Sequence, residues 1–194
     1  MTSATGPTGP DDAPEPAWVR EVLGYWFSDL TRDQWFRKDD RVDEVIRSRF
    51  THLYKGLADQ DQPAPLTPRL ALATVIVLDQ FPRNMFRGTP RAFATDSQAL
   101  GVARAALAAR LDASLTTFER LFLYLPFEHS EDRDDQRTAV ALIGALGDPE
   151  LTRYAIAHQT IIDRFGRFPH RNTILGRTST PEEIAFLEQP DSAF

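Results

Sequence analysis

The sequence predicts an all-α protein, on three observations. Apolar residues recur at the spacing of a helix face along most of the chain. Residues that cap helices, followed by prolines at first-turn positions, mark several helix starts. No segment shows the apolar–polar alternation of a strand, although the β-branched run Thr74 to Val77 taken alone also fits one. Short loops then predict a bundle or a stack of helix hairpins with eight or nine helices.

The N-terminal stretch differs in composition from the rest of the chain. Residues 1–15 contain three prolines and two glycines and almost no apolar side chains. Such a segment buries too little apolar surface to offset the entropy of ordering it. We therefore expect a disordered tail over 1–15 and a single all-helical domain over 16–194.

The helices of the N-terminal half follow from apolar periodicity and capping residues. The third of the long helices has apolar residues on nearly all sides, which is typical of a helix at the centre of a fold. The predicted elements are a helix from Pro16 to Asp29, a short one carrying Trp35 and Phe36, a long one from Asp39 to Gly56, and the all-round apolar one that opens at Thr67–Pro68 and continues through Leu78.

The same signals place the helices of the C-terminal half. Gly147 is expected to end one of them, and Thr180-Pro181-Glu182-Glu183 is a capping signature for the last. The predicted elements are a helix capped by Thr95 or Asp96 and running to Arg110, one from Ser114 to Leu125 that Pro126 interrupts, one from His129 to Leu146, one from Pro149 to Phe165, and one from Pro181 to Glu188.

Composition excludes several classes of function. The formal net charge of −6 argues against binding to the phosphate backbone of nucleic acid. The absence of cysteine excludes disulfides, thiolate catalysis and zinc–sulfur sites. No apolar run approaches the roughly 18–20 residues of a membrane span, and the N-terminus lacks a signal-peptide pattern. The sequence therefore predicts a cytoplasmic protein with no nucleic-acid or membrane partner.

The first of three polar clusters follows the central helix directly. It contains Asp79, Gln80, Arg83, Asn84 and Arg87, with Pro82 in its middle. Asp79, Arg83 and Arg87 are spaced by four and share one face if the helix continues past the proline. Two guanidinium groups suit a carboxylate or phosphate ligand. The alternative is structural: Asp79 pairs with an arginine and fixes a helix corner.

The second cluster contains Glu128, His129, Glu131, Asp132 and Asp135. Carboxylates and an imidazole at this spacing are compatible with a divalent metal, although no specific metal motif is present. They also fit a histidine–carboxylate acid/base pair or a set of acids that pair with arginines. A third interpretation is an acidic helix start that complements the helix dipole.

The third cluster is a local excess of cations in an acidic chain. Arg164, Arg167, His170 and Arg171 lie within eight residues, and Asn172 follows them. This cluster is the best candidate for an anion site and equally the natural partner of the acids in the second cluster. His158 lies two helical turns upstream of Arg164. We expect the three clusters to meet at one polar site, with His129 and His170 as proton-transfer groups.

Long motifs around these clusters resemble the bacterial domain-of-unknown-function 924 family. The similarity covers roughly residues 18–188 and implies a tetratricopeptide-like helical superhelix, without implying an activity. Glu128 departs from the family, where a less charged residue or methionine is expected. The motifs are Leu78-Asp79-Gln80-Phe81-Pro82-Arg83-Asn84, Ala92-Phe93-Ala94-Thr95-Asp96, Leu125-Pro126-Phe127-Glu128-His129-Ser130-Glu131 and Phe165-Gly166-Arg167-Phe168-Pro169-His170-Arg171-Asn172.

Three functional hypotheses follow from the clusters. The first is a site for an anionic small molecule, held by Arg83, Arg87, Arg167 and Arg171 and possessing enzymatic potential through its histidines. The second is an interaction scaffold that binds a peptide or protein partner on a superhelical surface. The third is structural, with Arg–Asp–His networks tying helix hairpins together. The sequence does not identify whether a cofactor is bound, or which one.

Overall fold

The computed structural model describes residues 15–60, 67–190 and 192, and across these residues it is helical without a strand. The all-α prediction is confirmed. Because α4 and α5 join into one rod, the described helices form nine rods, in agreement with the predicted number. The helices are α1 (Ala17–Gly24), α2 (Arg32–Phe36), α3 (Asp40–Ala58), α4 (Pro68–Val75), α5 (Phe81–Met85), α6 (Asp96–Ala108), α7 (Thr117–Glu128), α8 (Arg133–Gly144), α9 (Pro149–Phe165) and α10 (Pro181–Leu187).

The α4–α5 rod is the centre of the fold. The Thr67 side chain accepts a hydrogen bond from the Leu70 amide, and Pro68 occupies the first turn. A π-helical turn, Ile76–Gln80, joins α4 to α5, and every residue from 71 to 82 is buried. Helices α1, α6 and α7 pack against α4, and α3 packs against α5. The all-round apolar pattern thus marks a helix enclosed by its neighbours, as predicted.

Aromatic side chains fill the space between this rod and its neighbours. Trp26 packs its edge on Phe122, with ring centroids 5.4 Å apart, and Phe50 packs on Phe81 at 4.7 Å. All four side chains are almost fully buried. Rings of this size dominate buried apolar area, and burying one contributes roughly 1.5–3 kcal/mol. The core therefore holds the α4–α5 rod, and the polar groups at its end, in a fixed position.

The C-terminal half is a series of helices in which each packs on the next. Helix α6 packs on α7, α7 on α8 and α8 on α9. The predicted interruption at Pro126 is wrong, because α7 runs through Pro126 to Glu128. A proline removes one helical hydrogen bond, but the His129 amide still donates to the Leu125 carbonyl at 2.9 Å and closes the last turn. Burial of Phe127 and Glu128 favours the continued helix.

Two other predicted boundaries are also wrong. The helix expected to start at His129 starts at Arg133, because the Asp132 carboxylate accepts hydrogen bonds from the amides of Asp134 and Asp135 and caps it there. His129 instead closes the C-terminus of α7. Helix α3 passes through Gly56 and ends at Ala58. At α8 the cap decides where the helix begins, whereas Gly56 is an exposed helical residue, and a glycine there costs the helix only about 1 kcal/mol.

The remaining fold predictions concern the ends and the overall curvature of the chain. Of the predicted tail, 1–14 lies outside the described residues, whereas the Glu15 carboxylate pairs with Arg69 at 2.6 Å. Most of the predicted loop from Gln60 to Pro65 also lies outside them. No helix among the described residues is long and apolar enough to cross a bilayer. A tetratricopeptide-like superhelix stays a prediction.

Candidate functional site

Three segments from distant parts of the chain meet at one buried polar cluster. The end of the α4–α5 rod supplies Asp79 and Arg83, and the end of α7 supplies Glu128 and His129. The segment between α9 and α10 supplies Arg171. The Asp79 carboxylate contacts His129, and the Arg171 guanidinium donates to the His129 carbonyl at 3.1 Å. The structure therefore brings parts of all three sequence clusters together.

Asp79 and His129 form a hydrogen-bonded dyad. His129 Nδ1 lies 2.8 Å from one Asp79 carboxylate oxygen and 3.0 Å from the other. The same carboxylate accepts a hydrogen bond from the Gln80 amide and lies 3.3 Å from Arg83 Nη1. The Asp79 side chain is 0% exposed and that of His129 is 15% exposed. A fully buried carboxylate thus fixes an imidazole that reaches the surface.

The electrostatics of the dyad fix its protonation. Burial alone raises the pKa of Asp79, but the charge of Arg83 and the hydrogen bond from His129 outweigh it and lower that pKa. Burial lowers the pKa of His129, and Arg83 lowers it further, against the opposing pull of Asp79. At neutral pH this corresponds to an ionised carboxylate beside a neutral imidazole. Its Nδ1–H then donates to Asp79, which leaves the Nε2 lone pair free to accept a proton.

Asp96 joins two arginines beside this dyad. Arg83 donates two parallel hydrogen bonds to it, at 2.9 and 3.0 Å. Arg171 Nη1 lies 3.5 Å from the same carboxylate. The Arg171 guanidinium also lies between two rings, 4.7 Å from the centroid of Phe93 and 4.5 Å from that of Phe168. Burial lowers the pKa of Arg171 to about 10, which still leaves it charged at neutral pH.

Glu128 and His158 form a second acid–imidazole pair at the site. His158 Nδ1 is 3.3 Å from a Glu128 carboxyl oxygen and 2.9 Å from the Tyr154 carbonyl. Burial, reinforced by the negative charge of Asp79, raises the pKa of Glu128 to about 8. Burial lowers the pKa of His158 to about 3, although its hydrogen bond to Tyr154 opposes the shift. Both groups are therefore largely neutral at pH 7.

His170 completes a row of rings at the site. Its ring centroid is 5.6 Å from that of Phe168, which is 5.6 Å from His158, and His158 is 6.5 Å from His129. Burial and the charge of Arg171 lower the pKa of His170 to about 4. Of the four histidines in the chain, three thus lie together, and the fourth, His52, is exposed on α3.

Several polar atoms at this end of the molecule are buried without a hydrogen-bond partner among the described residues. Buried polar groups are normally paired, so a concentration of unpaired ones marks a place where a ligand or water is needed. Arg171 itself is 7% exposed. The atoms in this segment are Nδ1 of His170, Nε of Arg171, Oδ1 of Asn172 and Nε of Arg177.

Glu131 anchors the segment that carries His170 and Arg171. Its carboxylate accepts hydrogen bonds from Arg177 at 2.7 and 3.0 Å and from the Phe168 amide at 2.8 Å. Although burial raises the pKa of Glu131, the hydrogen bonds from Arg177 and Phe168 outweigh it and lower that pKa. The predicted acid therefore lies at the cluster and positions its third segment.

Two residues of the first cluster point elsewhere. Asn84 donates to Asp43 at 2.8 Å, and Arg87 donates to both oxygens of the same carboxylate at 2.8 and 2.9 Å. Asp43 is a buried residue of α3. The shared helical face expected for Asp79, Arg83 and Arg87 ends because α5 stops at Met85. Asn84 and Arg87 thus tie α5 to α3.

Two residues of the third cluster likewise belong to a separate network. Arg167 donates two hydrogen bonds to Glu183, at 2.7 and 2.8 Å, and Asn172 donates to Glu183 at 3.3 Å. The hydrogen bond from Arg167 contributes most to lowering the pKa of Glu183 to about 2. Arg164 pairs with Glu182 on the surface. These contacts attach α10 to the end of α9.

The two remaining predicted acids serve α8. Asp132 is its N-terminal cap. Asp135 is buried, pairs with Arg104 of α6 and accepts a hydrogen bond from the Ser130 hydroxyl at 2.7 Å. Within the described part of the chain, no group of three or more His, Asp or Glu side chains is arranged to hold a metal ion.

The sequence does not place three members of the cluster at the site. Asp96 is predicted only as a helix cap, and His158 only as a residue upstream of the third cluster. Arg177 lies in the Gly-Arg pair that follows the third cluster. The signal for Asp96 is its position in the first turn of the helix that follows the first cluster. Side chains of a helix tilt toward its N-terminus, so this carboxylate points toward the preceding segment.

The concave surfaces of the described residues include two shallow depressions away from this cluster. One, of about 450 Å³, is lined by residues of the α8–α9 turn, among them Gly147 and Ile156. The other, of about 360 Å³, lies between Glu15, Arg69 and Leu115. Neither depression is lined by residues of the polar cluster.

Comparison with known proteins places the chain in a family. The family model of the bacterial proteins of unknown function DUF924 matches residues 22–191. A solved structure of a protein of unknown function from Agrobacterium tumefaciens is 36% identical, with a TM-score of 0.80, over 89% of this chain and 97% of that one. The curated proteins give no match. The chain therefore belongs to the DUF924 family, as its motifs predicted.

Proposed function

We propose that this DUF924 protein binds a small anionic molecule over the exposed edge of His129, and that His129 accepts a proton from it. The observation that carries the proposal is the Asp79–His129 dyad. A fully buried carboxylate holds Nδ1 at 2.8 Å. No described residue makes a hydrogen bond to Nε2. An oriented, neutral imidazole with a free nitrogen is the arrangement of a general base.

The charges of the site support an acidic ligand. Arg83 and Arg171 are balanced by Asp79 and Asp96, and His129 is neutral at pH 7. An anion added to a balanced site is not compensated unless another group becomes positive. Proton transfer from the ligand to His129 supplies that charge, and the buried Asp79 stabilises the imidazolium. Binding should therefore become tighter as the pH falls.

The anion would rest beside the two guanidinium groups. Arg171 has an unpaired Nε and Arg83 is 20% exposed on its side chain. Arg87 and Arg167, also predicted to hold the anion, lie in the Asp43 and Glu183 networks. The proposed anion site therefore uses half of the predicted arginines.

The direct experiment is a titration with inorganic phosphate and with succinate at pH 5.5 and 7.5. Binding is monitored by NMR through the imidazole resonances of His129. We expect saturable shifts that are stronger at the lower pH. His129→Asn keeps a side-chain donor toward Asp79 and removes Nε2, so it should lose at least about tenfold in affinity. His52→Asn is the matched control and should change nothing. Unchanged affinity in His129→Asn would exclude the proposal, as would no binding of either anion.

A second candidate function, docking of a protein segment, is favoured by one surface feature. Ile156, which lines the larger depression, is 47% exposed, and its neighbour Tyr154 is 41% exposed. Apolar side chains beside a concave surface are typical of helical grooves that bind peptides. Ile156→Ser should leave anion binding intact and abolish binding of such a segment, so the two candidates are distinguishable.

A further inference from the structure

Glu128 differs from every other buried acid in the described chain. The others each pair with an arginine: Asp43 with Arg87, Asp79 with Arg83, Asp135 with Arg104 and Glu183 with Arg167. Glu128 is 6% exposed, and its nearest cationic candidate is an imidazole nitrogen 3.3 Å away.

That imidazole is not an effective counter-charge. His158 Nδ1 lies closer to the Tyr154 carbonyl, at 2.9 Å, than to Glu128. Because a carbonyl only accepts hydrogen bonds, Nδ1 carries the proton. Protonating the second nitrogen as well would bury a charge, and burial opposes this. A carboxyl group without a counter-charge in such a site is stable as the neutral acid.

The surroundings of Glu128 reinforce the neutral form. From the α4–α5 rod it faces the ionised Asp79, and from α9 it faces the neutral His158. From α8, Gln136 donates to the Glu128 backbone carbonyl and adds no charge. His129, the next residue, is itself held by Asp79. Glu128 and His129 therefore border the same carboxylate, one as an acid and the other as a base.

We propose that Glu128 is the proton donor of the site in which His129 is the proton acceptor, an inference that rests on the proposed function. The ligand O–H, N–H or C–H bond breaks as its proton passes to His129 Nε2. The Glu128 O–H bond breaks as its proton passes to a second atom of the ligand. Imidazolium and carboxylate remain, and proton exchange with solvent restores both groups.

This pairing defines a class of substrate. The ligand is a small acid that loses one proton and gains another at a nearby atom, as in a tautomerisation, so its net charge and oxidation state do not change. No additional reactant is needed. Sites that hold a neutral carboxylic acid and a neutral imidazole together are equipped for this exchange, because each group is in the correct protonation state at one pH.

The first measurement is a carbon NMR titration of the glutamate carboxyl groups in the full chain, with Glu128→Gln to assign the resonance. We expect Glu128 to titrate at about 8. Titration near the ordinary value of 4.5 would overturn the proposal. If Glu128→Gln does not fold, the wild-type spectrum still gives the answer. One glutamate carboxyl resonance should titrate at about 8, apart from all the others.

The second measurement is the affinity for sulfate, whose charge is constant between pH 5 and 9. In the wild type, ionisation of Glu128 should weaken sulfate binding by about tenfold between pH 7 and 9, through repulsion at short range. The Glu128→Gln variant should bind sulfate with the same affinity at pH 7 and pH 9. An equal loss in the variant would show that Glu128 does not act on the ligand, which overturns the donor role.

The two proposals fail separately. If neither sulfate nor the phosphate and succinate of the first titration binds the wild type, the anion site is excluded, and the imidazole nitrogen shifts of His129 become the test of Glu128. A step in those shifts that coincides with the Glu128 titration, and that Glu128→Gln removes, would show that the two groups share the site. No such step would overturn the inference.

Discussion

Two buried regions of this protein contain the same residue types and differ in how completely their charges are paired. Around Asp43 and Glu183, each carboxylate accepts several hydrogen bonds from an arginine and an asparagine. Around His129, no arginine among the described residues pairs with Glu128, and His170 and Arg171 keep nitrogens without a hydrogen-bond partner there. Saturated pairs hold helices together, whereas unsaturated groups retain the capacity to bind a ligand or exchange a proton.

The pKa values reflect the same difference. Bonded to Arg167, Glu183 has a pKa lowered to about 2, whereas burial raises that of Glu128 to about 8. Both acids are almost fully buried. Burial favours the neutral form of an acid, and a guanidinium partner favours the ionised form.

The largest effect is expected in a saturated network. Asp43→Ala leaves Arg87 and Asn84 without their common acceptor and should lower the free energy of unfolding by roughly 3 kcal/mol. Chemical denaturation measures this, and anion binding to the folded variant should be unchanged. A cost below about 1 kcal/mol would contradict the structural role of the network.

The second-largest effect is expected in the pH dependence of stability, which should come from the region around His129 and not from the saturated networks. Folding raises the Glu128 pKa from 4.5 to about 8, so the folded state binds the extra proton between these values and stability falls as pH rises. His158, lowered from 6.5 to about 3, gives the opposite slope below 6.5. Between pH 6.5 and 8, His158 no longer opposes the effect of Glu128. The free energy of unfolding should therefore fall by up to about 2 kcal/mol over this range.

Glu128→Gln provides the control for that slope. The amide of the variant cannot ionise. The decline in denaturation midpoint that Glu128 causes between pH 6.5 and 8 should therefore be absent. A wild-type slope that persists unchanged in Glu128→Gln would assign it to another group. Asp43→Asn, made in the saturated network, should retain the wild-type slope.

A smaller effect is expected for Arg171→Lys. The planar guanidinium lies between Phe93 and Phe168 and donates to the His129 carbonyl, and an ammonium cannot reproduce both contacts. We expect a loss of about 1–2 kcal/mol in unfolding free energy and weaker phosphate binding, measured by denaturation and NMR titration. Full retention of both would remove Arg171 from the proposed site.

The smallest effect is expected on the surface. Arg164 pairs with Glu182, and both side chains are largely exposed, at 46% and 65%. Such pairs contribute little, so Arg164→Ala should change unfolding free energy by less than about 0.5 kcal/mol and leave anion affinity unaltered. A marked loss of affinity in this variant would show that the anion binds on the α9–α10 surface and not over His129.

Most of the fold was predictable from local patterns, and the exceptions have physical causes. The buried α4 followed from its apolar residues, and Thr67 and Thr180 cap their helices as their positions indicated. Pro126 failed as a breaker because the turn around it is buried. For the site, helix-end clusters predicted Asp79, Arg83, His129, His170 and Arg171, but not which predicted arginines were already paired.

By itself, the sequence determined the helices, their caps and the position of each polar cluster at a helix end, because these depend on neighbours three or four residues away. Tertiary structure decided the partners. Asp79 and His129 are 50 positions apart, Asn84 and Asp43 are 41 apart, and Arg177 and Glu131 are 46 apart. Helix packing sets which of several arginines meets which carboxylate, and so leaves Glu128 without one. Spacing along a single helix contains no record of that choice.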